Sequence, residues 1–347
     1  MSFDDYVGLY AVADEINSGQ LTTSAYVKQM FDNVVDGNTA NTLWTGGAGV
    51  TVALGNLGVG SSALTLSDLI GKWFLGTDLP NPDVGSVGGT LPVSYVNYSS
   101  EALWGTNGPR PGDVDQGASG DCYFLAALAE VALQDPTSIE NMISYDGNGT
   151  WSVEFQVNGA ADYVTVNADL PTLTDASFPT GQTLAFDGGN GALWSPLIEK
   201  AYAELNSQTQ APHGGDGVAG NSYYDIQGGD AWSLTELTGQ SVTSWQTRNT
   251  ETAAGLSELL GVLSTAFSQN QDVVMDTGAY TPSGSGLVAD HMYAVLSINQ
   301  AAGTVTLYNP WGVNSDSTNP VILTDSISQL AAGSVEFWTS SGKSVLG

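Results

Sequence analysis

The chain has 347 residues, of which six are basic and 36 are acidic, so its formal net charge at pH 7 is −30. This acidity excludes the basic footprint that nucleic-acid binding requires, and it also disfavours anionic membranes. Hydrophobic residues make up 41% of the chain, which suffices for a sizeable core. No apolar run reaches the roughly 18 residues of a membrane-spanning helix.

The first residues, MSFDDYVGLY, carry acids where a secretory signal peptide has basic residues. The composition is rich in glycine, aspartate, serine and threonine and poor in cysteine and lysine, which is typical of exported bacterial proteins. We therefore expect an extracellular protein that is exported without an N-terminal signal peptide, with a cytoplasmic location as the alternative.

Residues 1–95 predict a mostly helical N-terminal segment. Apolar spacing indicates helices at 4–16 and 22–35 and a third in TLSDLIGKWFLG. The stretch 78–92 is rich in proline and glycine and predicts a linker. We place a domain boundary there, and the alternative is that 1–95 belongs to one larger domain.

The remaining sequence predicts helices first and a sheet later, which indicates an α+β fold. An apolar run from Cys122 to Leu133, interrupted only by Glu130 and followed by the helix-ending Pro136, predicts a buried helix. Asn158-Gly159 predicts a hairpin turn. Further predicted elements are a helix in WSPLIEKAYAELN that starts with Ser195 as its N-cap, a helix in AGLSELLGVLSTAFSQN, and strands in DVVMDTG, HMYAVLSINQ and GTVTLYNPWG.

The single cysteine, Cys122, falls in the first turn of the predicted buried helix. The positive end of the helix dipole stabilises a thiolate there, so we expect a lowered thiol pKa. The Cys122 N–H and the side-chain amide of Gln116 could both donate to an oxyanion. A lone cysteine is more often an apolar filler, so this interpretation requires a base nearby.

The chain offers two histidines as that base. His213 lies in a glycine-rich loop and is expected to be exposed. His291 opens a predicted strand, and hairpin arithmetic brings Asn309 within reach of its ring and Trp311 over the bond between them. Each residue alone has an ordinary structural explanation, but together they supply a nucleophile, a base and an orienting group in the order of papain-type proteases.

At these positions the sequence resembles the calpain-type cysteine proteases, over about residues 96–312. The matching stretches are DQGASGDCYFLAALAEVA, LWSPLIEKAYAEL, IQGGDAWSLTELTG, DHMYAVLSI and LYNPWG. The resemblance implies a papain-like fold, with a helical lobe at 96–245 that carries Cys122 and a β-rich lobe at 246–347 that carries His291 and Asn309. It also implies endopeptidase activity on protein or peptide substrates.

The sequence departs from the family pattern in three places. Tyr123 replaces the tryptophan that usually follows the cysteine, and we expect it to form a differently shaped aromatic wall. The calcium-binding regulatory domains that follow the family's core are not seen after lobe two, and residues 1–95 are not shared with the family. We expect 1–95 to be a prosegment that crosses the cleft in cis and is removed by self-processing, or else a folding or targeting module.

The resemblance also implies a calcium site in lobe one. Its ligands would be backbone oxygens of Thr106 and Gly108 and the carboxylates of Asp113 and Glu199, an oxygen set that suits Ca²⁺. The alternative is that the two acids pair with Arg110 or Lys200. No organic cofactor is expected, and the sequence leaves the oligomeric state open.

Two other functions fit the same residues. A transglutaminase-type acyltransferase uses a similar thiol and imidazole, but its orienting residue is normally an aspartate rather than an asparagine. A catalytically inactive relative could act as a binding module.

Overall fold

The computed structural model describes residues 1–45, 51–82, 93–174, 182–209, 213, 214, 217, 220–247 and 252–346. These residues form an α+β protein, as predicted, with helices and antiparallel sheets in separate layers. Among them, no helix is long and apolar enough to span a bilayer. Most of the predicted linker, residues 83–92, lies outside the described part of the chain.

The N-terminal segment contains the three predicted helices and a short hairpin that was not predicted. Each helix begins at a serine, Ser2, Ser24 or Ser62, whose hydroxyl accepts the N–H three residues later. Apolar faces of the helices meet in a small core that includes Met30 and Trp73. The elements are α1 (Phe3–Asn17), α2 (Ala25–Val35), β1 (Leu43–Thr45), β2 (Thr51–Ala53) and α3 (Ala63–Phe74).

The helices of lobe one surround the predicted nucleophile helix. The first of them ends before Pro136, which is the first residue of the next helix. Ser195 does not cap the third helix, because that helix already begins at Trp194, whose N–H donates to the Leu103 carbonyl. The elements are α4 (Cys122–Gln134), α5 (Pro136–Met142), α6 (Trp194–Gln208) and α7 (Trp232–Thr238).

Lobe one also contains two three-stranded antiparallel sheets, so it is less purely helical than expected. The predicted turn at Asn158-Gly159 is present, with φ angles of 53° and 79°. One sheet has the order β3-β7-β8 and the other β4-β5-β6. The strands are β3 (Val93–Asn97), β4 (Ile143–Tyr145), β5 (Thr150–Val157), β6 (Ala160–Asn167), β7 (Asp169–Thr174) and β8 (Gln182–Leu184).

Lobe two is a six-stranded antiparallel sheet with the order β13-β12-β11-β10-β14-β9 and two helices. Three of its strands were predicted. Its first strand begins at Val242, slightly before the expected lobe boundary at 245. The elements are β9 (Val242–Gln246), α8 (Ala253–Ser268), β10 (Val273–Asp276), β11 (Met292–Asn299), β12 (Thr304–Tyr308), β13 (Ile322–Ser326), α9 (Ile327–Ala332) and β14 (Glu336–Ser340).

The central strands of this sheet are buried on both faces. Met292 and Ala294 join the core that contains α4, whereas Tyr293 and Val295 join the core that contains α8. This alternation is the period of two that a strand imposes on its side chains. Helix α4 therefore packs directly against β11, and the two lobes share one core at this point.

The N-terminal segment docks on lobe one through polar contacts on β6. The Tyr26 hydroxyl bonds to Thr165 at 2.9 Å, and the Gln29 amide donates to Asp162 at 2.6 Å.

Inside the segment, Lys72 forms a salt bridge with Asp78, and both side chains are 2% exposed. Two buried opposite charges form a stable pair only while both are present.

We expect Lys72→Met to lower the free energy of unfolding by about 3–5 kcal/mol, because it leaves Asp78 buried without a counter-ion. Urea denaturation of the full chain measures this change. The matched control is Lys28→Met, which breaks the surface pair with Asp32 and should cost less than about 1 kcal/mol. Equal losses in the two variants would contradict the prediction.

Candidate active site

Cys122 is the first residue of α4, where the sequence placed it. Its N–H has no acceptor within the helix because it precedes the first complete turn. The residue as a whole is partly exposed, but its thiol is largely buried and lies within hydrogen-bonding reach of the Met292 backbone N–H, at the start of β11. The packing of α4 on β11 thus brings the sulfur next to the residue that follows His291.

The predicted lowering of the thiol pKa is not observed. Burial raises the pKa of Cys122 to about 12, and the carboxylates of Asp121 and Asp276 add to that increase. The N–H groups of Met292 and Tyr123 oppose it, but they do not outweigh the loss of solvent. In this conformation Cys122 is therefore a neutral thiol at pH 7.

His291 is buried, with 4% of its surface exposed. Its Nε2 lies 2.9 Å from Asn309 Oδ1, so the predicted contact is present. Burial lowers the pKa of His291 to about 4, although the bond to Asn309 opposes this shift. Because Oδ1 can only accept, Nε2 carries the proton and Nδ1 keeps its lone pair. The ring is therefore held as a neutral base.

Asn309 and Trp311 orient this ring. Asn309 Oδ1 also accepts the Trp311 backbone N–H at 3.1 Å, which fixes the amide. The indole of Trp311 lies against the imidazole, with ring centroids 5.1 Å apart and planes tilted by 52°. The predicted position of Trp311 over the His–Asn pair is thus observed, and it shields that hydrogen bond from water.

Two further residues fix His291 and were not predicted. The Thr277 hydroxyl accepts the His291 N–H at 2.9 Å, and the Thr277 N–H donates to the His291 carbonyl at 2.9 Å. Tyr293 meets the imidazole edge-on, with planes at 90° and centroids 5.0 Å apart. The Thr277 contacts continue the pairing of β10 with β11, which predicted strands alone do not specify, whereas Tyr293 lies only two residues after His291 along the same stretch of chain.

Gln116 differs from its predicted orientation. It is 4% exposed, and its amide donates to the Ser119 carbonyl at 2.8 Å and faces Asp121 at 3.5 Å. Its backbone N–H donates across the lobes to the Pro310 carbonyl at 2.7 Å. The amide of Gln116 is therefore engaged with the Ser119 carbonyl of its own loop in this conformation.

Two other residues also differ from expectation. Tyr123 is 1% exposed, and its hydroxyl donates to the carbonyls of His213 and Ile226, so it supports a loop rather than forming a wall of the cleft. His213 was expected to be exposed, but only 3% of its surface is accessible. Its Nδ1 forms a hydrogen bond with the Glu236 carboxylate, and its Nε2 lies 3.0 Å from the Thr209 hydroxyl. Because Glu236 lies 23 positions away in the sequence, local sequence patterns could not predict its hydrogen bond with His213.

Buried acids surround the loop that precedes Cys122. Burial raises the pKa of Asp121 to about 6 and that of Asp187 to about 7. It also raises the pKa of Glu199, and the nearby charges of Asp121 and Asp187 add to this shift. Asp121 and Asp187 therefore gain protons near neutral pH.

The two carboxylates among the four predicted calcium ligands, Asp113 and Glu199, already accept hydrogen bonds from within the protein. Asp113 accepts from the Arg110 N–H and the Trp194 indole, both at 3.0 Å, whereas Glu199 accepts from the Asp187 N–H at 3.1 Å. Gly108, which with Thr106 was predicted to supply backbone ligands, has a φ of 74° and lies near the Glu140 carboxylate. In the described parts of the chain, no cluster of three or more His, Cys, Asp or Glu residues could hold a metal ion. Of the alternative pairings, Asp113 lies 3.8 Å from the Arg110 guanidinium, whereas the Lys200 ammonium donates to Asn167 and to the Asp169 carbonyl.

Comparison with known proteins is consistent with this geometry. The profile of the calpain family cysteine proteases matches residues 96–319, more than half of the chain. Similar curated proteins include calpain clp-4 of Caenorhabditis elegans, which is 30% identical over 60% of this chain and 28% of its own length. Calpain-type cysteine protease DEK1 of Arabidopsis thaliana is 29% identical, over 58% of this chain and 9% of its own. Human calpain-9 is 26% identical, over 58% of this chain and 28% of its own length. The chain thus spans less than a third of the length of these relatives.

We expect the free energy of unfolding to rise as the pH falls from 8 to 6. Asp187 and Asp272 have pKa values raised to about 7 by burial, so the folded state binds protons there more tightly than the unfolded state. Their contribution is complete below an ordinary aspartate pKa and is lost as the pH rises through about 7. His291 opposes this trend only below its ordinary pKa of 6.5. Urea titrations at several pH values measure the slope.

Asp187→Asn should reduce that slope by up to about 1.4 kcal/mol per pH unit, because it removes one proton-binding group. The control is Asp14→Asn at an exposed position of α1, which should leave the slope unchanged. A slope that is the same in wild type and Asp187→Asn would contradict the assignment.

Proposed function

Because the chain belongs to the calpain family of cysteine proteases, we propose that it is an endopeptidase whose nucleophile is Cys122, whose base is His291 and whose orienting residue is Asn309. One observation carries this proposal: the helix that begins with Cys122 packs on the strand that follows His291, and Asn309 fixes the tautomer of His291. The reaction is the hydrolysis of a peptide bond.

The resting state favours a concerted first step. Since Cys122 is a neutral thiol and His291 a neutral base, the thiol proton passes to His291 Nδ1 as the sulfur attacks the scissile carbonyl. The C=O bond becomes a C–O⁻ bond, and the new C–S bond forms. The imidazolium then gives that proton to the leaving amine as the C–N bond breaks. Water, deprotonated by His291, afterwards displaces the thiolate from the acyl group.

The oxyanion needs hydrogen-bond donors at the head of α4. The Cys122 N–H supplies one from a helix terminus, where the dipole favours negative charge. We propose that Gln116 supplies the second after its amide turns away from the Ser119 carbonyl. The negative charge that develops on the substrate oxygen would attract the Gln116 amide, and this charge is absent in the resting state.

A cavity of about 510 Å³ lies beside these residues and is lined by both lobes. Gln116 and Trp311 form one side of it, and Leu173, Leu184 and Phe186 supply apolar walls. Because Trp311 covers the base that protonates the leaving amine, we propose that this cavity holds an apolar side chain on the leaving-group side of the substrate.

Two rival functions are less well supported. An orienting amide, rather than a carboxylate, on His291 argues against a transglutaminase-type acyltransferase. The observed contact between His291 and Asn309, with Cys122 next to Met292, argues against a binding module that has lost its site. Poor alkylation of Cys122 at neutral pH would not distinguish an inactive protein, because burial already raises the pKa of this thiol.

We propose that residues 1–82 remain docked on lobe one. Their described contacts reach Asp162 and Thr165 on β6, and the Asn81 N–H donates to the Asn221 carbonyl at 2.8 Å. These positions support a docked unit more than a segment that crosses the cleft. Self-processing between 83 and 92 would then nick the chain without releasing its N-terminal helices.

We expect the full chain to cleave denatured casein and Cys122→Ser to lose this activity by at least about a thousandfold, because the serine hydroxyl is a far weaker nucleophile than the thiol beside this base. Release of acid-soluble peptides measures the rate, with an Asp14→Asn chain as the control. Equal activity of wild type and Cys122→Ser would contradict the proposal. Parallel samples with EGTA show whether calcium is needed, and incorporation of a labelled amine without peptide release would favour acyl transfer.

A second expectation concerns the N-terminal segment. If the chain processes itself, incubation converts wild type to a form smaller by about 10 kDa, from roughly 90 residues of ordinary mass, while Cys122→Ala stays intact. Because the docking contacts do not need the linker, both fragments should co-elute in gel filtration. Elution of the small fragment alone would contradict docking, and cleavage of Cys122→Ala would exclude self-processing.

A further inference from the structure

Glu130 is the single charged residue in helix α4, and the reaction described above does not use it. Its side chain is fully buried. Oε1 accepts the Val273 N–H at 3.1 Å, and Oε2 accepts the Val295 N–H at 3.0 Å. The Gln134 amide, one turn later on the same helix, donates to Oε1 at 3.1 Å.

The two backbone donors belong to neighbouring strands of lobe two. Val273 begins β10, and Val295 lies within β11, four residues after His291. The pairing of β11 with β12 shifts register between Val295 and Ser297, next to the N–H that turns to Glu130. One carboxylate of the nucleophile helix thus bonds to the backbone of both strands that hold His291.

The spacing explains what this contact does. Glu130 lies eight residues from Cys122, which is about 12 Å along a helix. Val295 lies four residues from His291, which is about 13 Å along a strand. Helix and strand therefore contact each other at two places, near Cys122 and at Glu130, and the distance between these places is nearly the same along both elements. With the contact at Cys122 alone, the helix could slide along the strand or pivot on it. The second contact, at Glu130, prevents both movements.

We propose that Glu130 is a positioning residue, which holds α4 on β10 and β11 and thereby sets the position of the Cys122 sulfur relative to the His291 ring. This inference rests on the proposed function of that pair. Burial raises the pKa of Glu130 well above its ordinary value, and the neighbouring buried acid Asp272 adds to this shift. The hydrogen bonds from Gln134, Val273 and Val295 act in the opposite direction.

The test is Glu130→Gln in the full chain. Glutamine keeps the shape but places an NH₂ group against one of the two backbone donors, so one strand bond is lost. Because a displacement of about 1 Å can cost roughly a hundredfold in rate, kcat on a peptide substrate should fall at least about tenfold, with KM changed less than about twofold. The pH profile of Cys122 alkylation by iodoacetamide should also shift.

Two controls separate positioning from general stability. Glu258→Gln makes the same change at an exposed site of α8 and should match wild type. Gln134→Leu removes a donor to Glu130 but keeps both strand bonds, so kcat should stay within about twofold of wild type by the same positional argument. Unchanged kcat and alkylation profile in Glu130→Gln, or an equal loss in Gln134→Leu, would overturn the proposal.

A further measurement, made on the wild type, tests the proposal even if the Glu130→Gln variant does not fold. In the wild type, the amide protons of Val273 and Val295 should exchange with solvent as slowly as those of the core strands. Exchange of either within minutes would sink the proposal. The alkylation and exchange readouts need no peptidase activity, so an inactive wild type would refute the proposed function without deciding the role of Glu130.

Discussion

The structure depends on the packing of an apolar helix against the middle of a two-sided sheet. Helix α4 is buried along most of its length, and β11 sends alternate side chains into the cores on either side of the sheet. Neither element could be solvated without exposing a large apolar surface. The free energy of burial therefore holds the nucleophile and the base together, and the lobes share a core where papain-like chemistry needs them to meet.

Burial has an electrostatic consequence at the same place. It raises the pKa of Cys122 and lowers that of His291, so both groups are neutral at rest. A helix terminus favours the thiolate, but its contribution is smaller than the cost of removing the sulfur from water. In the proposed reaction, the ion pair would therefore form during attack on the substrate rather than exist in the free protein.

Sequence predicted the elements and residues that depend on local pattern. The three N-terminal helices follow from apolar spacing and serine caps, the turn at Asn158-Gly159 follows from its residue types, and Cys122, His291 and Asn309 follow from motif order. The predictions were wrong where contacts with other residues determine how a side chain is oriented or buried. The Gln116 amide bonds to the Ser119 carbonyl, and the buried ring of His213 bonds to Glu236. Such contacts exist only after the chain has folded.

Glu130 shows how the two kinds of information combine. One acid in an otherwise apolar helix is visible in the sequence, and burial of an ionisable group without partners is strongly unfavourable. The sequence therefore indicates that something must bond to it, but not what. The structure supplies two backbone N–H groups from the strands behind His291. The acid is tolerated in the core because those donors satisfy it, and in turn it ties the helix of the nucleophile to the strand of the base.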